Sequence, residues 1–191
     1  MSTENLKQPW VSSYGDLPFH LDYSTRSMSG AVLDNAETDP EFTALSFNGK
    51  EISYRELSRN IDLTARAFHA LGVRPGQRVM ICLPNVPQAV YCLYAINRIG
   101  AVASLIHPLS AVAEIEFYLN ESSCDVVVTL DQFYAKFREV ESKRHIGKLV
   151  VAKVSDELPC IKALAYSLIS ERKYPKAELS ESVISWKDFI K

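Results

Sequence analysis

The stretch LGVRPGQRVMICLPN, residues 71–85, decides the fold. Gly72 stands where an amphipathic run ends, the place of a glycine just past a helix C-terminus. Pro75-Gly76 turns the chain, and Arg78–Leu83 follows as a short apolar run with no polar alternation. Such a run predicts a strand covered on both faces, as in a parallel sheet. Asn85 then stands where an N-cap is expected, with Gln88 at N3 of the next helix. Helix, turn, strand, turn, helix is the repeating unit of an α/β protein.

Working toward the N-terminus, Tyr54, Leu57, Ile61, Ala65, Phe68 and Leu71 recur at helical spacing. Ser53 and Glu56 in front of them form a capping box, hydroxyl to the N3 amide and carboxylate back to the cap. Ala44–Asn48 and Lys50–Ser53, joined at Asn48-Gly49, predict a β-hairpin. Residues 1–43 read as an N-terminal arm that docks Trp10, Tyr14, Phe19 and Tyr23 on a neighbouring surface, with a short helix around Met28–Glu37.

Working toward the C-terminus, the helix from Val86 to Ile99 is apolar on most sides, which places it inside a larger body. Gly100 closes it, and Ala101–Ile106 predicts a fully buried strand. Ser110 is placed to cap a helix through Glu121, with Val112, Ile115, Tyr118 and Leu119 on one face. Cys124–Leu130 is another strand, Asp131 opens a helix to about Glu141, and Lys148–Lys153 is the next strand. Alternation of this kind specifies a doubly wound, mostly parallel α/β sheet with flanking helices and right-handed crossovers. Residues 44–155 form this α/β subdomain. Residues 156–191 are a helix and connector, with an amphipathic stretch at Pro159–Glu171 and a strand candidate at Val183–Trp186.

Composition closes off several functions. The 191 residues carry 21 Lys+Arg against 23 Asp+Glu, without the basic footprint of a nucleic-acid binder. The longest strictly apolar run, Ala89–Ile96, is well short of the ~20 residues of a membrane span. Residues 1–20 hold no apolar signal-peptide core, so the expected compartment is the cytoplasm. Cys82, Cys92, Cys124 and Cys160 include no Cys-x-x-Cys and read as reduced packing residues. The four histidines include no i,i+4 pair, so no helical metal site is expected. Seven scattered glycines make no phosphate cradle, and Gly-x-Ser-x-Gly is absent. No catalytic residue is assigned within this chain.

The order of these pieces resembles the N-terminal part of the adenylate-forming, AMP-binding superfamily, in its acyl-CoA synthetase branch. Three stretches carry the resemblance: Ile52-Ser53-Tyr54-Arg55-Glu56-Leu57; Leu71–Val79 with Leu83-Pro84-Asn85; and Ile99-Gly100-Ala101-Val102 with Pro108. It covers residues 44–130 well, and Gln77 and His107 stand where the family usually has Asp and Asn. The resemblance implies a reaction in two steps. A fatty carboxylate attacks the α-phosphate of Mg2+-ATP to give acyl-adenylate and pyrophosphate, and CoA thiol then releases AMP. It also implies a later phosphate loop and a mobile C-terminal domain with a catalytic Lys, neither found here. The chain is therefore expected to be the front of a longer ligase, inactive alone and prone to self-association through uncovered apolar surface.

By position within the family, His107-Pro108-Leu109-Ser110 and the pair Lys136 and Arg138 would approach the CoA nucleotide, the cations bonding its phosphates. Against that stands the plainer reading of Lys136, Arg138 and Glu139 as a solvated helix face. Two other classes compete with the parent ligase: an amino-acid adenylation domain and a self-contained, non-catalytic α/β binding module.

Overall fold

The apolar runs assemble into one parallel sheet. A computed structural model of the chain describes residue 10 and residues 13–18, 22–174 and 176–191, the side chains at 167 and 169–172 excepted. The elements are α1 (Met28–Thr38), β1 (Thr43–Phe47), β2 (Lys50–Ser53), α2 (Tyr54–Ala70), β3 (Arg78–Cys82), α3 (Pro87–Arg98) and β4 (Val102–Leu105). They continue with α4 (Val112–Ser122), β5 (Val126–Leu130), α5 (Tyr134–Glu141), β6 (Lys148–Ala152), α6 (Cys160–Lys173), β7 (Val183–Ser185) and α7 (Trp186–Phe189). Five strands pair in the order β4-β3-β5-β6-β7, all parallel. In register, Val79 lies beside Ala103 and Val126, and Val128 beside Val150.

Alternation along each strand splits the core in two. Val79, Ile81, Val128 and Val150 meet α2, α3 and α7 through Leu57, Ile61, Phe68, Tyr91, Ile96, Trp186 and Phe189. Met80, Cys82, Val127 and Leu149 face the other way, onto Ile115 and Leu119 of α4 and Phe137 and Val140 of α5. The result is three layers with the sheet in the middle, the doubly wound arrangement that the sequence pattern specifies.

Local chemistry accounts for most of the boundaries. Ser53 Oγ accepts from the Glu56 N–H at 3.2 Å while Glu56 Oε2 accepts from the Ser53 N–H at 3.1 Å, completing the capping box of α2. Gly72 ends that helix at φ 93°, a conformation open to glycine without steric cost. Asn48 and Gly49 are both at positive φ, as a two-residue hairpin turn with right-handed strand twist requires. The ion pair Lys50–Glu157, 2.8 Å, ties this hairpin to the segment after β6, and the buried Tyr91 hydroxyl lies 3.4 Å from the same carboxylate. At the other end of α2–α3, Ser29 of α1 donates its N–H to Asn97 Oδ1 at 3.0 Å, joining α1 to the helical layer.

Several expectations need correction. Val86, not Asn85, is the N-cap of α3, because Pro87 takes N1 and forces an extended conformation on the residue before it. Ala111, not Ser110, is the N-cap of α4, and the Ala111 N–H is satisfied by Glu114 Oε2 at 2.9 Å. The strand at Val102–Leu105 is not fully buried: it is the sheet edge, and Val102 and Leu105 are exposed. Tyr118 is exposed, not part of the buried face of α4, and packs edge-on against Phe117. Cys160 is exposed, whereas Cys82, Cys92 and Cys124 are buried and unpaired. Trp10, Tyr14 and Tyr23 of the arm are exposed, so they are not anchors in this chain's own core. Phe19, the fourth proposed anchor, lies outside the described residues.

Candidate functional site at the C-terminal sheet edge

In a doubly wound sheet, ligands bind beyond the carboxyl ends of the strands, where the strand order reverses. Here β3 leads through α3 to β4 on one side, and β4 leads back through α4 to β5 on the other side of β3. The loops following β3, β4, β5 and β6 therefore define the edge to inspect. Polar groups concentrate there. Gln88, in the first turn of α3, is fully buried; its Nε2 donates to the Lys153 carbonyl at 3.0 Å and its Oε1 has no partner among the described residues. Asp131, directly after β5, is buried, and Oδ1 accepts from the Gln132 N–H at 2.9 Å. Burial holds the Asp131 carboxyl above the ordinary carboxylate range, opposed by that hydrogen bond and by Lys153. Asp156 caps the turn after β6 by accepting from the Lys153 N–H at 3.0 Å, and Lys187 of α7 lies 3.5 Å from it.

Cys82, at the end of β3, is no nucleophile. Burial pushes its thiol up to about 11, despite a hydrogen bond with Thr129, so the thiolate is scarce at neutral pH. Among the described residues no group of three or more His, Cys, Asp or Glu is placed to hold a metal ion.

The structure puts Lys136 against the loop that carries His107 and leaves Arg138 elsewhere on α5. His107 is exposed on the loop after β4, and its Nδ1 accepts from the Leu109 N–H at 3.2 Å, leaving Nε2 to carry the proton. Lys136 of α5 reaches the same loop, its Nζ donating to the carbonyls of Ser110 at 2.8 Å and Pro108 at 3.3 Å. It thereby laces α5 to the loop. Arg138 is exposed elsewhere on α5, 2.5 Å from Glu141 and 4.0 Å from Glu178. His107 borders a groove of about 460 Å³ with Ser104, Ser110, Tyr118 and Glu121. A second groove, about 370 Å³, runs between the hairpin and the ends of β3 and β4, with Phe47, Leu83, Val90, Leu93 and Leu105 in its lining.

Sequence reasoning missed Gln88 and Asp131 as features of this edge. The available signals were a polar side chain within an apolar helical run and an acid directly ending the apolar run Val126–Leu130.

Comparison with known proteins resolves the family. Residues 32–184 match the AMP-binding enzyme family. This chain belongs to that family. It is 27% identical over 168 residues to the long-chain-fatty-acid–CoA ligase of Bacillus subtilis, covering 87% of this chain and 30% of that protein. It is 31% identical over 131 residues to the crotonobetaine/carnitine–CoA ligase of Salmonella paratyphi A, covering 66% of this chain and 25% of that protein. Among solved structures, a long-chain-fatty-acid-CoA ligase from Archaeoglobus fulgidus superposes with TM-score 0.65 at 26% identity, covering 72% of this chain and 30% of that one. An anthranilate CoA ligase solved with anthranoyl-AMP shares the fold at TM-score 0.69, 20% identity and 92% and 29% coverage. The chain thus spans about 30% of the length of the Bacillus subtilis ligase. Among the described residues no helix is long and apolar enough to cross a membrane.

Proposed function

We propose that these residues are the front of the large domain of an ATP-dependent acyl-CoA ligase, acting in the cytoplasm. The ligase would convert a fatty acid, Mg2+-ATP and CoA to acyl-CoA, AMP and pyrophosphate through an acyl-adenylate. The observation carrying this reading is the family match over 32–184, laid on a doubly wound sheet whose C-terminal loops include the Leu83-Pro84-Asn85 and His107-Pro108 segments. Within the ligase the chain's part is to hold the frame. Adenylation requires donors around the leaving pyrophosphate, where charge accumulates in the transition state. No Gly-rich run followed by Lys and Ser/Thr occurs in the sequence to supply them. We infer that the 191-residue chain alone forms no adenylate.

At the edge, His107 and the Lys136-tied loop would face the CoA nucleotide, with Arg138 exchanging Glu141 and Glu178 for a phosphate. The test is a chimera in which residues 32–184 replace the matching segment of the Bacillus subtilis ligase. Fatty-acid-dependent acyl-CoA formation is the expected result for the chimera, with no ATP–pyrophosphate exchange by the isolated chain. A folded but inert chimera would refute the ligase reading, and exchange by the isolated chain would refute the scaffold role. In the chimera, Arg138→Glu is expected to raise the KM for CoA and not for ATP; an unchanged KM for CoA removes Arg138 from the site.

A further inference from the structure

The turn after β4 is closed by its own residues and held by one from α5. Pro108 and Leu109 are its central residues, and the Ser110 N–H donates to the His107 carbonyl at 3.0 Å. Pro108 stands where a turn favours the fixed φ of proline. His107 bonds its own turn as well, Nδ1 accepting from the Leu109 N–H at 3.2 Å. With Nδ1 engaged as an acceptor, the neutral ring carries its single proton on Nε2. The carbonyls of Pro108 and Ser110 remain, and one ammonium takes both: Lys136 Nζ donates to them at 3.3 Å and 2.8 Å.

Lys136 is half-buried, and among the described residues it forms no ion pair with a carboxylate. Its ammonium lies 5.8 Å from the centroid of the Phe133 ring. The layer formed by α4 and α5 is packed through Ile115, Leu119, Phe137 and Val140, so it does not depend on these two bonds to stay folded. What the bonds fix is the turn, and with it the imidazole of His107, which lines the groove of about 460 Å³ with Ser104, Ser110, Tyr118 and Glu121. By position in the sequence Lys136 is a candidate phosphate ligand. With its donors committed to two carbonyls, it acts through His107 instead.

We propose that Lys136 is a positioning residue, its ammonium clamping the turn at residues 107–110 so that His107 offers its Nε2 N–H to the bound CoA nucleotide. This rests on the reading of the edge as the CoA side of the ligase. The group that meets the nucleotide is then an imidazole donor, and the lysine contributes through the turn without touching the ligand.

NMR of the isotope-labelled 191-residue chain tests the clamp without CoA. The parent chain is expected to show Lys136 Nζ coupled through its hydrogen bonds to the carbonyl carbons of Pro108 and Ser110, and the neutral His107 ring protonated at Nε2 alone. Lys136→Met keeps the aliphatic stem and removes the donors. Its Leu109 and Ser110 amides are expected to exchange about tenfold faster, the loss of a hydrogen bond from a charged donor. The His107 ring should then become a mixture of tautomers while the α5 amides keep their protection. Lys136→Arg, whose guanidinium can donate to both carbonyls, is expected to restore the parent pattern. Absence of the coupling in the parent, or an unchanged turn and ring in Lys136→Met, overturns the proposal. So does a Lys136→Met chain in which α5 loosens together with the turn, which would make the lysine a plain structural support. In the chimera with the Bacillus subtilis ligase, Lys136→Met is expected to raise the KM for CoA about tenfold and leave the KM for ATP unchanged, with Lys136→Arg close to the parent. A turn that loosens while the KM for CoA stays constant refutes the CoA reading of this edge and, with it, the clamp's part in the ligase.

Discussion

α2 and α6 are both amphipathic helices, and they are seated in opposite senses. α2 turns Leu57, Ile61, Ala65 and Phe68 into the core, with Phe68 packed edge-on to Phe189 at 5.0 Å. α6 turns Tyr166 and Lys162 toward its neighbours and leaves Ile161, Leu164 and Leu168 in solvent. Helical periodicity reports that one face differs from the other; it does not report which face the rest of the molecule covers. For α2 the sheet supplies an apolar partner through Val79, Ile81 and Val128. For α6 the described hydrogen-bonding neighbours are a turn carbonyl and a glutamine, which offer little apolar area.

The comparison is most sharply broken at Phe68. Phe68→Ala removes a fully buried ring and leaves a cavity between α2 and α7, so we expect a loss of about 3–5 kcal/mol in urea unfolding. A loss below about 1 kcal/mol would mean that α2 is not held by its apolar face. A smaller effect is expected on the other side. Tyr166→Phe deletes the hydroxyl that meets Gln132 and is expected to cost about 1 kcal/mol. Hydrogen exchange should show the change as faster opening of α6 with α2 unaffected. Unchanged exchange in α6 would show that this contact does not seat the helix.

The smallest effect concerns pH, at Asp131, which lies next to Gln132 beneath that seat. Its folded-state pKa is raised by burial, so between the unfolded value and the folded one the native chain holds more protons than the unfolded chain. Stability contributed at this site therefore falls as pH rises through that window. Asp131→Asn keeps an oxygen for the Gln132 N–H and removes the charge. The variant is expected to gain on the parent as pH rises through the window and to match it below. A variant that loses ground as pH rises would show that the ionised carboxylate is stabilising.

Much of the frame was legible because its causes are local. The capping box at Ser53 and Glu56, the Asn48-Gly49 turn and the stop at Gly72 each depend on residues a few positions apart. Strand and helix order then follows from apolar periodicity. Asn85 and Ser110 were misread because neighbouring residues decide the cap: Pro87 occupies N1, and Glu114 satisfies the Ala111 N–H. The candidate site was less legible. Lys136 bonds the loop that carries His107, and the use of its ammonium on two backbone carbonyls has no trace in the sequence. The buried amide of Gln88 and carboxyl of Asp131 likewise become visible only when α3, β5 and β6 are brought together.

By itself the amino-acid order determined the alternation of strands and helices, the parallel sheet it requires and the family motifs placed on its turns. These rest on dihedral preferences, short-range hydrogen bonds and the periodicity of burial. Strand order, by contrast, came only with the tertiary structure. It put Val102–Leu105 at an edge, although that run is as apolar as the central strands. It also turned α6 with its aliphatic face outward. Burial is a property of what lies opposite a side chain, and chain segments far apart in sequence supply it.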